Sequence, residues 1–271
     1  MSALSKLNKD AVNHYLLDLQ SRLLKTFEEI DGTAHFEKKS WPRPEGGGGT
    51  MAVLRGDSVE KAGVNFSEVY GEKYPAMEGE HAGKPFFATG VSTIGHMKNP
   101  FAPIGHMNVR LLEVGDTFWF GGGADLTPCN PFDEDTQAFH QALKAACDKH
   151  SNGGLVDYQK FTKWCDEYFY IPHRQSVRGV GGIFFDFLKG DFEPLFAFIK
   201  AVGDAYATIY PALLRKRKAM PYTETDREKL LYWRGRYAEY NLVYDRGTKF
   251  GLMTNGNVEA IFVSLPPLVK W

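Results

Sequence analysis

The chain has 271 residues, 43% apolar and 24% charged, with a formal net charge of −1. That is the mix of a soluble globular protein, and it excludes a global positive field of the kind that gathers nucleic acid. No apolar run approaches the roughly 20 residues of a membrane-spanning helix, so no membrane span is expected. Aromatic residues make up 14%. A large core explains such an excess, and so does a cavity lined for a flat, apolar ligand.

Three cysteines, Cys129, Cys147 and Cys165, are odd in number and never in C-x-x-C spacing. They form neither a disulfide framework nor a zinc site, and reduced thiols in a reducing compartment are the simplest account. The opening MSALSKLNKD lacks the apolar core of a signal peptide and the arginine-rich pattern of a transit peptide. Cytoplasm is the expected location.

In chain order, residues 5–31 read as an amphipathic helix, with Leu7, Ala11, Tyr15, Leu19, Leu23, Phe27 and Ile30 at helical spacing and Gly32 to stop it. PRPEGGGG (42–49) reads as a loop. From about 51 to 121, short β-rich runs separated by turn residues predict antiparallel strands: MAVLRG, VNFSEVY, PFFATGVSTI, IGHMNVRLLEV and TFWF. Helices are expected over about 132–149 and 155–171, then a strand at GIFFDF (182–187). Further helices are expected at 192–218 and 223–236, with a break or kink at Pro211. The basic run LRKRK (214–218) fits a solvated helix end. YAEYNLVYD (237–245), KFGLMT (249–254) and VEAIFVSL (258–265) read as closing strands. No linker or repeat divides the chain, so 1–271 is read as one domain. Clustered strands favour an α+β fold, one mainly antiparallel sheet with helices packed on it.

Several constellations could carry chemistry. Strand period two places His106, Asn108 and Arg110 on one face, with Met107, Val109 and Leu111 on the other. The polar face is either an ordinary solvated one or a binding surface. The run 121–125, Gly-Gly-Gly-Ala-Asp, removes side chains where a ligand or another backbone could approach, or forms a turn around Asp125. HRQSVRGVGG (173–182) carries His173, Arg174 and Arg178, and arginine suits bidentate carboxylate recognition. TNGN (254–257) reads as an Asn-Gly hairpin turn whose N–H groups could also meet a carboxylate. His96, His106, His140 and His173 could bind a metal, though no pair has a legible ligand spacing, and His140 falls on a helix face that reads as solvated. These residues reach an enzyme or binder of an anionic ligand. They do not reach the substrate.

Taken together, EGGGG (45–49), EKAGVNFS (60–67), FFATGVS (86–92), HMNVR (106–110), WFGGGADLTP (119–128), KWCDEYFY (163–170), RGVGGIFFD (178–186), RGRYAEYNLVYDRGTKFGL (234–252) and SLPP (264–267) give a sequence that resembles the oxygen-dependent coproporphyrinogen III oxidases of haem biosynthesis. The resemblance spans nearly the whole chain in order. It implies a large, mainly antiparallel sheet sandwiched between helices, in a homodimer, with the strand 64–71 and the block 237–268 linked to dimer formation. It implies oxidative decarboxylation of the ring A and B propionates of coproporphyrinogen III to vinyl groups. Molecular oxygen would be a co-substrate, with no organic cofactor and no required metal. The alternatives are a non-catalytic tetrapyrrole carrier and a multi-histidine metal oxygenase.

By the same resemblance His106 is the proton donor, and Asp125 holds the pyrrole N–H groups. Ser92, Asn108, Val109, Arg110, Asn255, Gly256 and Asn257 contact substrate, and Arg178 supports activity through a propionate. The four histidines match positions assigned as metal ligands in bacterial relatives. Asn255, Asn257, Met97 and Val177 depart from common family residues. Val177 stands where some relatives have a further arginine, and one carboxylate partner is thereby removed.

Overall fold

In a computed structural model, which describes residues 7–74, 80–151, 153–253 and 256–271, the chain starts with helix α1 (Lys9–Asp31). Val12, Leu16, Leu19, Leu23, Phe27 and Ile30, spaced by three or four, are all buried on one stripe. Each such burial contributes roughly 1.5–3 kcal/mol before the entropic cost of ordering. Asn8 Oδ1 accepts from the Ala11 N–H at 3.0 Å to start the helix, and Gly32, at φ 95°, ends it in the left-handed conformation.

Strands β1 (Glu37–Pro42), β2 (Gly47–Leu54), β3 (Val59–Gly71), β4 (Phe86–Met97), β5 (Ile104–Val114) and β6 (Thr117–Thr127) follow as an antiparallel meander. Next come α2 (Asp133–Asp148), α3 (Tyr158–Tyr168), and a small hairpin of β7 (Tyr170–Ile171) and β8 (Ser176–Val177). Strand β9 (Gly181–Leu188) returns to pair with β6 and completes a seven-stranded antiparallel sheet in the order β1-β2-β3-β4-β5-β6-β9. Helices α4 (Phe192–Arg217), α5 (Glu224–Val243), α6 (Arg246–Met253) and α7 (Val258–Ile261) complete the chain, with a 3₁₀ turn at Phe262–Ser264. The expected α+β class with a mainly antiparallel sheet is what the structure has.

The two faces of the sheet differ. Met107, Val109, Leu111, Phe120, Ala124, Ile183 and Phe185 pack into one core with α1 and α4. Asn65, Ser92, His106, Asn108, Arg110 and Asp125 alternate with such residues and belong to the other face. Helix α5 covers one end of that second face, where Tyr237 packs on Ile94 and Ile104. At the sheet edges, β1 carries exposed Lys38 and Lys39, and α3 covers β9 with Phe161 against Phe185 and Trp164 against Phe184.

Several expectations need correction. The glycines 47–49 do not form a loop; they lie in β2, paired with 67–69 of β3. Pro211 does not break α4, which runs through it with Tyr206, Tyr210, Leu213 and Leu214 all buried. The expected closing strands are helices. In α5, Leu230, Arg234, Tyr237 and Asn241 recur every three or four residues and are buried. That helical stripe overrides the strand preference of its tyrosines. A capping box at Thr223 and Asp226 starts the helix. Residues 249–253 belong to α6, and 258–264 form α7 with its 3₁₀ turn. The described residues on either side of the expected hairpin turn are therefore helical, where strands were expected. Thr254 and Asn255 lie outside the described residues.

Candidate active site

Strand β5 and its neighbours carry the site. His106, Asn108 and Arg110 stand in a row on the face away from the main core. The register sets His106 beside Asp125 of β6 on one side and Ile94 of β4 on the other. Asn108 lies between Ser92 and Gly123, and Arg110 between Gly90 and Gly121.

His106 and Asp125 form an acid–base pair, His106 Nδ1 to Asp125 Oδ1 at 2.9 Å. Burial pushes the Asp125 carboxyl up, but the adjacent charge of Arg178 and the His106 hydrogen bond outweigh it and hold it below its ordinary range. An ionised carboxylate only accepts, so Nδ1 carries the proton and donates it. With Nδ1 committed, Nε2 is the nitrogen left for an incoming group.

Arg178 closes the relay from behind. Its Nη2 donates to Asp125 Oδ2 at 2.7 Å and its Nη1 to Asn241 Oδ1 at 3.2 Å. The guanidinium carbon lies 3.8 Å from the centroid of Phe169, 4.6 Å from Tyr237 and 5.0 Å from Tyr240, an aromatic cage that suits a cation. Arg178 is only 3% exposed. The geometry gives Arg178 a hold on Asp125, where the resemblance implies a direct grip on substrate.

At the other end of the row, Arg110 Nη1 donates to Asn108 Oδ1 at 2.8 Å, and its Nη2 pairs with Asp186 Oδ2 at 2.8 Å. The pair lies flat over Gly121, where a Cβ would come within 2.5 Å of Asp186 Oδ1 and 2.9 Å of Arg110 Nη2. Part of the glycine run therefore makes room for the protein's own ion pair. Arg110 and Asp186 side chains keep 32% and 17% of their exposure, so a ligand carboxylate has access to the guanidinium. Four residues of strand separate Arg110 from His106, about 13 Å.

The remaining expected contacts are dispersed. Ser92 is exposed on the same face. Val109 is fully buried in the opposite core, so only its backbone reaches the ladder of the site. Gly256 donates its N–H to Gly251 O, and Asn257 caps α7 by accepting from the Ala260 N–H. That segment reaches the sheet through Asn65, the register partner of Ser92, whose Nδ2 donates to Ala260 O at 2.9 Å. A cavity of about 320 Å³ lined by Lys144, Cys147, Asp148 and Tyr158 contains none of these residues. The paired ionisable groups His106–Asp125 and Arg110–Asp186 lie on the sheet face, away from that cavity.

The four histidines lie apart. His96 is buried, with Nε2 on Ser264 O at 2.9 Å; burial and the charge of Arg234 push it well below the ordinary imidazole range. His140 is no solvated helix residue, since it bonds Tyr158 Oη and Val180 O. His173 bonds Tyr244 Oη and Glu239. Among the described residues, no three His, Cys, Asp or Glu side chains gather as a metal-binding group.

Sequence reasoning missed Asp186, Asn65, Asn241 and the cage of Phe169, Tyr237 and Tyr240. Asp186 had a signal: Gly182, Phe184 and Asp186 alternate along β9, in the parity that picks out His106, Asn108 and Arg110. Asn241 and the cage had none, because their meeting with Arg178 brings together the segment before β9, the end of α3 and the distant helix α5.

An α+β protein with an acid–base pair at one end of an open sheet face and a reachable arginine at the other is an enzyme for a carboxylate-bearing substrate. The sequence profile described as "Coproporphyrinogen III oxidase" matches residues 11–271. The chain is 46% identical over 282 residues to the oxygen-dependent coproporphyrinogen-III oxidase of Rickettsia bellii strain OSU 85-389, with 99% of this chain and 100% of that protein covered. Its counterpart in strain RML369-C shows the same identity and coverage. The chain belongs to the coproporphyrinogen III oxidase family.

Proposed function

We propose that this chain is an oxygen-dependent coproporphyrinogen III oxidase of haem biosynthesis, converting the ring A and B propionates of its substrate to the vinyl groups of protoporphyrinogen IX. The observation that carries the reading is the full-length match to relatives of that activity, with the His106–Asp125 pair at the inner end of the open sheet face.

The chemistry sets the demands on these residues. Each propionate loses CO2 and a β-hydrogen, and two electrons pass to O2. The carbon skeleton releases one proton while reduction of O2 to H2O2 takes up two, so each event consumes one proton net. His106, charged through Nε2 and held by Asp125, supplies it. A carboxylate oxygen has two lone pairs, and His106 and Arg178 use one on each. The other pair on each oxygen accepts pyrrole N–H groups, which raises ring electron density toward O2. Arg178 keeps Asp125 ionised and aimed. Arg110 anchors a propionate remote from the one that reacts, aided by Ser92, Asn108 and the turn at Gly256 and Asn257.

We read the reaction as needing no organic cofactor and no metal. The buried, free thiols of Cys129, Cys147 and Cys165 support a reducing compartment, the cytoplasm. Among the described residues no helix is long and apolar enough to cross a membrane. Exposed Leu242, Val243, Met253, Val258, Leu268 and Trp271 near the C-terminal end support a homodimer through that region.

The test is CO2 release and vinyl product from coproporphyrinogen III, with and without oxygen, before and after exhaustive chelation. Oxygen-dependent release that survives chelation is expected. Binding without turnover would leave a carrier, and activity lost on chelation and restored by a metal would replace the metal-free reading. Sedimentation equilibrium tests the dimer.

A further inference from the structure

We infer that Asp186 is an exchange partner for Arg110: its carboxylate occupies the guanidinium in the empty site and yields to a substrate propionate, setting how firmly the macrocycle is held and how readily it leaves. This rests on the reading of Arg110 as a propionate anchor.

The backbone around Asp186 is irregular where it meets Arg110. Strand β9 pairs Leu188 with Phe120 and Phe185 with Gly122, so Asp186 and Phe187 together oppose the single residue Gly121. This is a β-bulge, a device that re-aims a side chain. Phe187 sits at φ 51°, a left-handed conformation that side chains other than glycine rarely adopt. Its ring, 53% exposed, stacks on Trp119 at 5.2 Å. Asp186 Oδ1 accepts from the Phe187 N–H at 3.0 Å, which leaves Oδ2 for Arg110. The strained bulge, the missing side chain at Gly121 and the local hydrogen bond all serve one placement.

Stability does not account for that placement, because a pair as solvent-reached as this one contributes little. Orientation does not account for it either, since Asn108 already holds Arg110 Nη1. A fixed carboxylate on an arginine that must bind carboxylates lowers affinity. Lower affinity is useful here for two reasons. One acid–base pair serves two propionates, so the macrocycle has to turn between the two decarboxylations. The product also retains two propionates, and an arginine with no internal partner would keep hold of them. Exchange with Asp186 leaves the guanidinium paired during binding, turning and release, so no step exposes an unpaired charge beside the sheet.

Asp186→Asn keeps the size and the Oδ1 acceptor for Phe187 but removes the charge. Steady-state and single-turnover runs with coproporphyrinogen III would time the first and second CO2. KM is expected to fall about fivefold to tenfold, with kcat falling too. The second CO2 should slow relative to the first, so that a three-propionate intermediate accumulates on the enzyme. Asp186→Ser, whose hydroxyl also accepts from the Phe187 N–H, should behave alike, and thermal melting checks that both variants fold. In an Arg110→Gln background, Asp186→Asn should change nothing further. If Arg110→Gln raises KM but neither folded Asp186 variant lowers it, the exchange is wrong and the anchor stands. If Arg110→Gln leaves KM unchanged, the anchor reading itself fails.

Discussion

The two ends of the polar sheet face are both built on an Arg–Asp pair, and they differ in what surrounds it. At the inner end, Asp125 and Arg178 retain 4% and 2% of their side-chain exposure, with His106 in front and the aromatic cage behind. At the outer end, Arg110 and Asp186 keep 32% and 17%. Away from water, charges interact strongly and cannot be parted cheaply, so the inner pair is fixed and its partner His106 is fixed with it. Near water the same pairing is weak and replaceable. The chemistry is expected at the rigid end and ligand exchange at the loose one.

The largest effect expected concerns the inner end. Asp125→Asn should lower turnover by about 10²–10⁴-fold, the range for losing acid–base function, while secondary structure persists. Rates of CO2 release beside a far-ultraviolet dichroism spectrum check it. Near-normal turnover would take Asp125 out of the reaction and dissolve the distinction between the ends.

Next in size is Arg178→Met. It leaves a buried carboxylate without its counter-charge and should cost about 3–5 kcal/mol in urea unfolding, together with most of the activity. The pH dependence has a definite sign. The folded-state Asp125 carboxyl is held below its ordinary value, so its stabilising contribution is complete above the unfolded carboxylate range and lost as pH falls through the lower folded value. In the variant, only His106 is left to oppose burial, and the carboxyl rises. The gap between the two proteins should therefore be widest near neutrality and shrink as pH falls through the carboxylate range. A variant of unchanged stability but higher KM would mean that Arg178 grips substrate after all.

Arg110→Gln is expected to act on the opposite quantities. Losing one charge-assisted hydrogen bond, worth about 1.5–3 kcal/mol, should raise KM about 10- to 150-fold. Unfolding stability should move by about 1 kcal/mol or less, because the pair it breaks is only half-buried and reached by solvent. Isothermal unfolding and initial-rate kinetics on one preparation separate the two quantities. Equal losses of stability at Arg110 and Arg178 would show that the two ends are not different in kind.

Much of the polar face was legible in the sequence, and the reason is parity. A strand alternates its faces, so IGHMNVRLLEV alone separates His106, Asn108 and Arg110 from the buried Met107, Val109 and Leu111. The β-rich run before residue 121 likewise gave the meander, because its period is two and its breaks are turn residues. Parity failed beyond residue 236, where closely spaced tyrosines mimic strand composition while Leu230, Arg234, Tyr237 and Asn241 follow the helix period. The role of Arg178 could not be read at all. Its partners Asp125, Asn241 and Tyr237 come from a strand and a distant helix, and only the folded chain brings them together. Asp186 lay between these cases, in the right parity on β9 but aimed by a bulge that no residue type announces.

The smallest expected effect tests the rim between the two ends. The C-terminal segment is tied to the polar face by side chains donating to its carbonyls: Asn65 to Ala260, Lys61 to Leu265 at 2.6 Å, and His96 to Ser264. The bond from Asn65 is offset by its own Oδ1, which is buried without a partner among the described residues. Asn65→Ala removes both, so global stability should fall by only about 1 kcal/mol or less. Local opening is the sensitive readout. Amide hydrogen exchange in residues 258–265 should quicken while exchange in β5 and β6 stays as it was, because Lys61 and His96 still hold the far end of the segment. A small rise in KM should accompany it if Gly256 and Asn257 contact the substrate as proposed, since they precede that segment directly. A rise in KM as large as that of Arg110→Gln, without faster exchange, would place Asn65 against the substrate itself and extend the loose, exchanging end of the face as far as β3.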